Sequence, residues 1–110
     1  MSCKIRKNVI TLTRGDTLIA KVDVKLSDGT EYIPKSGDVI RFAMKKTYSD
    51  SETLLNIQIP TDSMTLRIES AMTKDFEFGT YVYDVQLTKE NGDVDTFITK
   101  GQLLLTEEVE

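Results

Sequence analysis

Four acidic side chains lie around one turn near the end of the sequence, where carboxylates could act in acid–base catalysis. Asp84, Glu90, Asp93 and Asp95 lie close together in the chain. Two carboxylates can act as general acid and general base, but only in a pocket that shifts one pKa away from the other. Short hairpins rarely enclose such a pocket. Solvated acids on a polar face are therefore the preferred interpretation, and the sequence predicts a non-enzymatic protein with no catalytic residues.

Metal and cofactor sites are weighed next. Calcium could bind at the same turn or at Asp50-Ser51-Glu52, but neither stretch matches the spaced acidic pattern of an EF-hand loop. The chain has no histidine and a single cysteine, Cys3, which excludes His-dependent nucleophiles, His-based zinc sites and an internal disulfide. The glycines are dispersed one per turn and form no phosphate cradle. We predict no metal and no cofactor.

Two features are candidates for a contact surface. Arg14-Gly15-Asp16 spells the tripeptide that integrins recognise, although Gly and Asp are also what a tight turn needs, and turn chemistry is the preferred interpretation. Phe97 alternates with Val94, Thr96 and Ile98, so one strand face there carries an apolar residue outward. Exposed apolar area on a small domain often marks a contact surface.

Length and charge narrow the class of protein. The 110 residues are predicted to form one domain spanning 1–110. Fourteen Lys plus Arg against eighteen Asp plus Glu give a net charge of −4, which repels phosphate backbones and anionic lipid head groups. We expect no nucleic-acid or membrane partner. No secretory leader is recognised at the N-terminus, so synthesis in the cytoplasm is expected.

The spacing of apolar residues predicts strands along most of the chain. Successive side chains of a strand point to opposite faces, so a half-buried strand carries an apolar residue at every second position. The segments that alternate in this way are 10–12, 18–26, 40–44, 55–59, 64–68, 81–87, 94–99 and 103–105. Asp28-Gly29 and Asn91-Gly92 predict hairpins with type I′ turns, and Gly101 predicts a bulge in the last strand. A tight turn at Arg14-Gly15-Asp16 is expected to join the first two strands.

One stretch breaks the period of two. Residues 70–78 suit a helical turn or two, with Ser70 or Thr73 as N-cap and Gly79 as terminator. In immunoglobulin nomenclature, this segment lies between strand E and strand F. Immediately after it, Gly79 and Tyr81 have the layout of a tyrosine corner, whose hydroxyl bonds to the backbone upstream.

These patterns predict an all-β fold. About seven strands separated by regular turn signals are typical of an immunoglobulin-like antiparallel β-sandwich, with a short helical turn between strands E and F. A closed barrel is the competing architecture. The antibody hallmarks are absent, because Val22 and Tyr83 stand near the positions of the two cysteines and Phe42 stands where tryptophan is placed.

The layout also resembles a known group of proteins. It is similar to small virion proteins and fibre modules of tailed phages and prophages of Gram-positive bacteria, and to the N-terminal immunoglobulin-like domain of phage baseplate upper proteins. The stretches that carry the resemblance are ITLTRGDT (10–17), LSDGTEY (26–32), GDVIRFAMKK (37–46), GTYVYDVQLT (79–88), the Asn-Gly hairpin and LLLTEEV (103–109).

The resemblance implies a structural component of the tail, baseplate or head surface that attaches to other phage structural proteins. Its localisation would be the virion, with many copies or a homo-oligomer in a symmetric particle, so that weak contacts act together. Met1 to Val9 and Thr106 to Glu110 are the candidate attachment segments. A carbohydrate-binding or cell-surface adhesion module is the alternative function, and a small hydrolase is a third, less favoured one.

Overall fold

Two β-sheets and one short helix make up the regular structure. The computed structural model describes residues 3–6, 8–26 and 28–107. In these ranges the elements are β1 (Cys3–Arg6), β2 (Val9–Thr13), β3 (Leu18–Lys21), β4 (Val39–Lys45), β5 (Leu55–Ile59), β6 (Thr65–Ile68), α1 (Ser70–Thr73), β7 (Gly79–Thr88) and β8 (Val94–Thr106). The prediction of an all-β fold is confirmed.

The strands divide unequally between the sheets. Six of them form one sheet in the order β1-β2-β8-β7-β4-β5, and β3 pairs with β6 in a two-stranded sheet. Neighbours run antiparallel except β2 and β8, which are parallel, with Val9 opposite Gln102 and Thr13 opposite Thr106. The antiparallel prediction is therefore wrong at this pair. No hairpin joins β2 to β8, so their connection does not impose an antiparallel direction.

The core follows from the predicted alternation. On β7, Tyr81, Tyr83, Val85 and Leu87 are buried, while the residues between them face away. Both sheets contribute to a single cluster of buried apolar side chains, which consists of Ile10, Leu12, Leu18, Val24, Ile40, Phe42, Met44, Ile59, Leu66, Ile68, Tyr81, Tyr83, Val85, Leu87, Leu103 and Leu105. Burial of an aliphatic or phenyl side chain stabilises a fold by about 2 kcal/mol, so this cluster holds the two sheets together.

The strand predicted at 18–26 is shorter than expected. β3 ends at Lys21, and the chain then stays extended without a full ladder. Val22 N–H donates to the Met64 carbonyl at 2.8 Å, and an isolated bridge pairs Lys25 with Glu31. The hairpin predicted at Asp28-Gly29 is thus reduced to a few bonds, because the following residues reach Pro34, which cannot donate to a ladder.

The β7–β8 hairpin predicted at Asn91-Gly92 is confirmed, but its turn type differs. Gly92 has a φ of 97°, whereas Asn91 is not among the residues with positive φ. Lys89 N–H donates to the Asp93 carbonyl at 2.7 Å and Gly92 N–H to the Lys89 carbonyl at 2.8 Å. A three-residue loop closed by a left-handed glycine requires one positive φ rather than two, so the type I′ prediction is wrong here.

The two segments predicted at 94–99 and 103–105 form one strand, β8. Its register against β7 shifts twice, because Tyr83 lies opposite Gly101, Val85 opposite Ile98, and the next β7 residue opposite Thr96. Each shift leaves an extra residue on β8, which is the definition of a bulge. The bulge predicted at Gly101 is confirmed beside that residue.

The first strand and the ends of the helix differ from the sequence-based expectations. Cys3–Arg6 forms β1 against β2, where no strand was predicted. The helix α1 is a single turn whose N-cap is Glu69, so neither Ser70 nor Thr73 caps it, and Gly79 begins β7 instead of ending the helix. Thr73 is fully buried within the turn, where its hydroxyl has another partner described below.

Candidate functional site

Arg14-Gly15-Asp16 forms the turn between β2 and β3. Asp16 N–H donates to the Thr13 carbonyl at 3.0 Å, and Gly15 takes a φ of 88°. Because β2 and β3 belong to different sheets, the turn carries the chain from one sheet to the other. All three residues of the tripeptide are half-buried.

The Arg14 side chain lies against the segment that follows α1. Its Nη1 donates to the Phe76 carbonyl at 3.2 Å, and its Cζ stands 4.2 Å from the centroid of the Phe78 ring. Gly15 N–H donates to Thr73 Oγ1 at 3.4 Å. The cation and the turn are thus held against residues 73–78. This geometry favours a structural role for the tripeptide over that of a projecting recognition loop.

Tyr81 has the contacts of a tyrosine corner. Its hydroxyl donates to the Glu77 carbonyl at 2.6 Å, four residues upstream. Burial raises the pKa of Tyr81, which keeps the hydroxyl protonated as a donor. The Lys46 ammonium stands 4.5 Å from the ring centroid. Gly79 has a φ of 138°, a conformation that L side chains rarely adopt, so this glycine shapes the entry into β7.

Among the described residues, Asp38 is the carboxylate that is buried, and it was missed in the sequence. Its Oδ2 accepts hydrogen bonds from the Tyr32 hydroxyl at 2.6 Å and from Lys35 N–H at 2.9 Å, and its Oδ1 accepts from Glu90 N–H at 3.1 Å. The Tyr32 hydrogen bond is the main cause that lowers the pKa of Asp38, and the same bond raises the pKa of Tyr32. The carboxylate is therefore ionised and fully engaged.

These contacts make Asp38 a structural residue. It joins the loop before β4 to the β7–β8 turn, where Gly37 packs so closely that an added Cβ would lie 2.6 Å from Glu90 Cδ. The signal in the sequence was the turn Lys35-Ser36-Gly37-Asp38, in which an aspartate commonly accepts backbone bonds. Its partner Glu90 lies far along the chain, so that contact was not visible in the sequence.

The four carboxylates considered for acid–base chemistry are not brought into a shared buried pocket. Asp84 lies in the middle of β7 and Asp95 at the start of β8, on either side of the hairpin ladder. Glu90 and Asp93 are exposed in the turn, where Asp93 N–H donates to the Asn91 side chain at 2.9 Å.

The stretch Asp50-Ser51-Glu52 was the other candidate for calcium. Asp50 Oδ2 accepts a hydrogen bond from Thr47 N–H at 3.3 Å, which closes an exposed turn after β4. Within residues 3–6, 8–26 and 28–107, no group of three or more His, Cys, Asp or Glu side chains is arranged to hold a metal ion.

Phe97 and Ile98 do not lie on opposite faces as the alternation predicted. Phe97 is half-buried and packs against the core, as Ile98 does. Phe97 is the extra residue at one register shift of β8, between Thr96 opposite Gln86 and Ile98 opposite Val85. A bulge sends consecutive side chains to one side, which strict alternation cannot anticipate. The exposed apolar residue of this strand is Val94, at 58%.

A groove runs between the extended segment after β3 and the start of β8. It has a volume of about 470 Å³ and is mostly polar, with one aromatic ring. Its lining consists of Asn8, Asp23, Lys25, Leu26, Thr96, Phe97, Ile98 and Thr99. A carboxylate, an ammonium, an amide and hydroxyls around one ring can bind a polar ligand of moderate size. This groove brings Phe97, a residue singled out in the sequence, beside polar side chains of a distant segment.

Parts of both candidate attachment segments belong to the six-stranded sheet. Within Met1 to Val9, Cys3–Arg6 pairs with β2 of the same chain and Val9 begins β2. At the other end Thr106 completes β8, and its Oγ1 donates to the Leu12 carbonyl at 3.4 Å. Met1, Ser2, Lys7 and residues 108–110 lie outside the described residues.

Comparison of the chain with protein-family models, with curated proteins and with solved structures finds no match. Over the described ranges, no helix is long and apolar enough to cross a membrane. The functional assignment therefore depends on the residues and the geometry given above.

Proposed function

We propose that the chain is a non-enzymatic structural protein of a tailed phage or prophage. It would be a tail, baseplate or head-surface component that acts by multivalent attachment to other structural proteins of the particle. The finer fold assignment that accompanies this role is an immunoglobulin-like sandwich, in which β8, β7, β4 and β5 take the places of strands G, F, C and C′, and β3 and β6 those of B and E.

The observation that carries the proposal is the combination of strand pairing and corner geometry. The parallel pairing of β2 with β8 suits an immunoglobulin-like topology in which the strand before strand B lies beside strand G. The Tyr81 hydroxyl bonded to the Glu77 carbonyl adds the corner at the start of strand F. Together they support the fold from which the resemblance to virion modules was inferred.

The structure supports a role in protein attachment better than a role in catalysis. The buried carboxylate of Asp38 accepts three hydrogen bonds and holds a loop in place. Several strand edges are unpaired in the described part of the chain, and an unpaired edge offers N–H and C=O groups to another protein. Particle symmetry would then present many weak contacts together, which multiplies their effect.

Quantitative mass spectrometry of purified particles tests this function. The particles are released from the source bacterium by prophage induction and separated from cell debris on a density gradient. We expect the chain at a simple ratio to the major capsid or tube protein. Abundant protein in the cell together with its absence from intact particles would contradict the proposal.

A second function, carbohydrate binding, is favoured by the groove beside Phe97. An aromatic ring with Asn8, Asp23 and Lys25 around it can stack on one face of a sugar and bond to its hydroxyls. A ligand that binds the folded state raises its melting temperature. Thermal-shift measurements across a glycan panel should then show a rise that Phe97→Ala removes, and no rise with any glycan would exclude this function.

A further inference from the structure

β5 lies at one end of the six-stranded sheet. It pairs with β4 on one side and has no strand on the other within the described residues. Its sequence, Leu-Asn-Ile-Gln-Ile, contains no charge, no proline and no glycine, and its register against β4 is regular from Leu55 to Ile59. An edge of this kind is a template for pairing with another strand.

The backbone groups on the open side of β5 follow from the bonds on its paired side. Leu54 N–H donates to the Met44 carbonyl at 2.8 Å, so Met44 directs its carbonyl toward β5. Met44 lies opposite Leu55, and alternate residues of an antiparallel strand direct both backbone groups to the same side. Asn56 and Gln58 therefore present their N–H and C=O groups to the open edge.

The side chains of β5 separate into two faces. Leu55 and Ile57 are half-buried and pack against the core, and Ile59 is fully buried. On the opposite face Asn56 and Gln58 are exposed, and Asn56 Oδ1 accepts a hydrogen bond from Arg41 Nη1 at 3.0 Å. The core face at this edge is thus apolar and incompletely covered, while the outer face carries neutral amides.

Other open edges carry features that oppose strand addition. The exposed Lys21 lies on β3, and Arg67 with its ion-pair partner Glu69 lies on and beside β6. The part of β8 that extends beyond β2 contains two register shifts and Lys100 with a φ of 56°. Charged side chains and bulges are common devices that protect edges from pairing. β5 has none of them.

We propose that β5 pairs antiparallel with β5 of a second copy of this chain. The contact places Ile57 opposite Ile57 across a two-fold axis, with Asn56 opposite Gln58 and Leu55 opposite Ile59. In this register the open backbone groups of Asn56 and Gln58 bond each other in both directions. The two six-stranded sheets become one continuous sheet.

Neighbouring registers of the two β5 strands allow fewer backbone hydrogen bonds between them. A shift of two residues one way sets Gln58 opposite Gln58 and brings Pro60, which has no N–H, opposite Asn56. The shift the other way sets Asn56 opposite Asn56 and brings Leu54, whose N–H is already bonded to Met44, opposite Gln58. A shift by one residue would put apolar side chains on the amide face.

The partner at the open edge of β5 is a second copy of this chain, because the strand is complementary to itself. Electrostatically, the pairing sets no like charges opposite each other, since β5 is uncharged and amide faces amide. Sterically, Leu55 and Ile57 of each copy cover those of the other. A five-residue contact is small compared with stable dimer interfaces, so the association is weak and reversible. It extends beyond the proposed particle role and holds whether or not the chain is part of a virion.

Sedimentation velocity over a concentration series tests the contact. The variants are Ile57→Lys, which places two ammonium groups at the axis, and Gln58→Pro, which removes an N–H that β4 does not use. Ile19→Lys is the matched control, since Ile19 is a half-exposed isoleucine, at 52%, on an edge of the other sheet. Circular dichroism melting curves show that each variant folds.

We expect the unmodified chain and Ile19→Lys to shift from monomer to dimer with rising concentration. Ile57→Lys and Gln58→Pro should each lower the association constant by about tenfold or more. Like charges face each other in the first variant, and the second loses two hydrogen bonds between the strands, one donated by each copy. A monomeric unmodified chain at all concentrations would overturn the proposal. Equal association of the unmodified chain and folded Gln58→Pro would also overturn it. These results are separate from the particle composition that tests the proposed function.

Discussion

The Tyr83 ring lies directly across Gly101. The two residues are opposite each other on β7 and β8, and a Cβ built on Gly101 would lie 2.5 Å from Tyr83 Cζ. The ring also stands 5.0 Å from Phe42, and its hydroxyl donates to the Asn8 carbonyl at 3.0 Å. The glycine therefore makes room for an aromatic side chain that joins β7 to the turn before β2.

Replacing Gly101 by alanine should destabilise the fold. The added methyl meets the Tyr83 ring, so either the ring or β8 must move, and overpacking of this kind costs about 2 kcal/mol. Urea denaturation measures the change. Gln102→Ala, at the exposed next position, is the control and should change the free energy of unfolding by less than about 0.5 kcal/mol. An unchanged stability in Gly101→Ala would show that the close packing is not required.

Alkaline pH should unfold the protein partly through Tyr83. Burial raises its pKa from 10.0 to about 12, so the folded state favours the protonated hydroxyl. The corresponding stabilisation is fully present below pH 10 and is lost as the pH rises toward 12. The free energy of unfolding, measured across this range, should fall less steeply in Tyr83→Phe. Parallel pH curves for both proteins would contradict this assignment.

Protonation of Asp38 at low pH should destabilise the folded state. The pKa of Asp38 is lowered in the folded state, mainly by the Tyr32 hydroxyl, so its contribution is present above the unfolded value of about 3.8 and is lost as the pH falls through the folded value. At neutral pH, Asp38→Asn should cost about 2 kcal/mol, because bonds to a charged acceptor are weakened.

The stability difference between Asp38→Asn and the unmodified chain should narrow in acid. Chemical denaturation at a series of pH values measures it. Asp62→Asn, at an exposed aspartate, is the control and should follow the unmodified chain throughout. A constant difference between Asp38→Asn and the unmodified chain at all pH values would show that ionisation of Asp38 does not contribute.

Arg14 should contribute to stability through its contacts with the chain after α1. Lysine cannot reproduce both the bond to the Phe76 carbonyl and the planar stacking on Phe78. Arg14→Lys is therefore expected to lower the free energy of unfolding by about 1 kcal/mol. Arg41→Lys, at an exposed arginine, should lower it by less than about 0.5 kcal/mol. Equal effects of the two substitutions would contradict the structural role given to the tripeptide.

Strands with strict alternation and many local signals could be predicted from the sequence. β4 and β7 alternate buried and outward residues over their length, and both were identified. β1 was missed because Cys3–Arg6 is only four residues long and its alternation rests on two apolar residues. It is held by its pairing with β2, which is a tertiary contact that local propensity does not register.

The candidate sites depended more on contacts between distant residues. Asp38 meets Glu90 from 52 residues away, so its burial could not be read from its neighbours. Phe97 was expected on the opposite face from Ile98, but one extra residue in β8 resets the alternation. The contact between Tyr81 and Glu77 spans four residues, which is why its layout was visible in the sequence.

The most direct test of the proposed virion role is cryo-electron microscopy of the particles in which the chain is sought. A reconstruction should contain, at symmetry-related positions on the head, tail or baseplate, density that fits the six-stranded and two-stranded sheets of this domain. A complete assignment of the particle density to other proteins, with no position for this domain, would contradict that role.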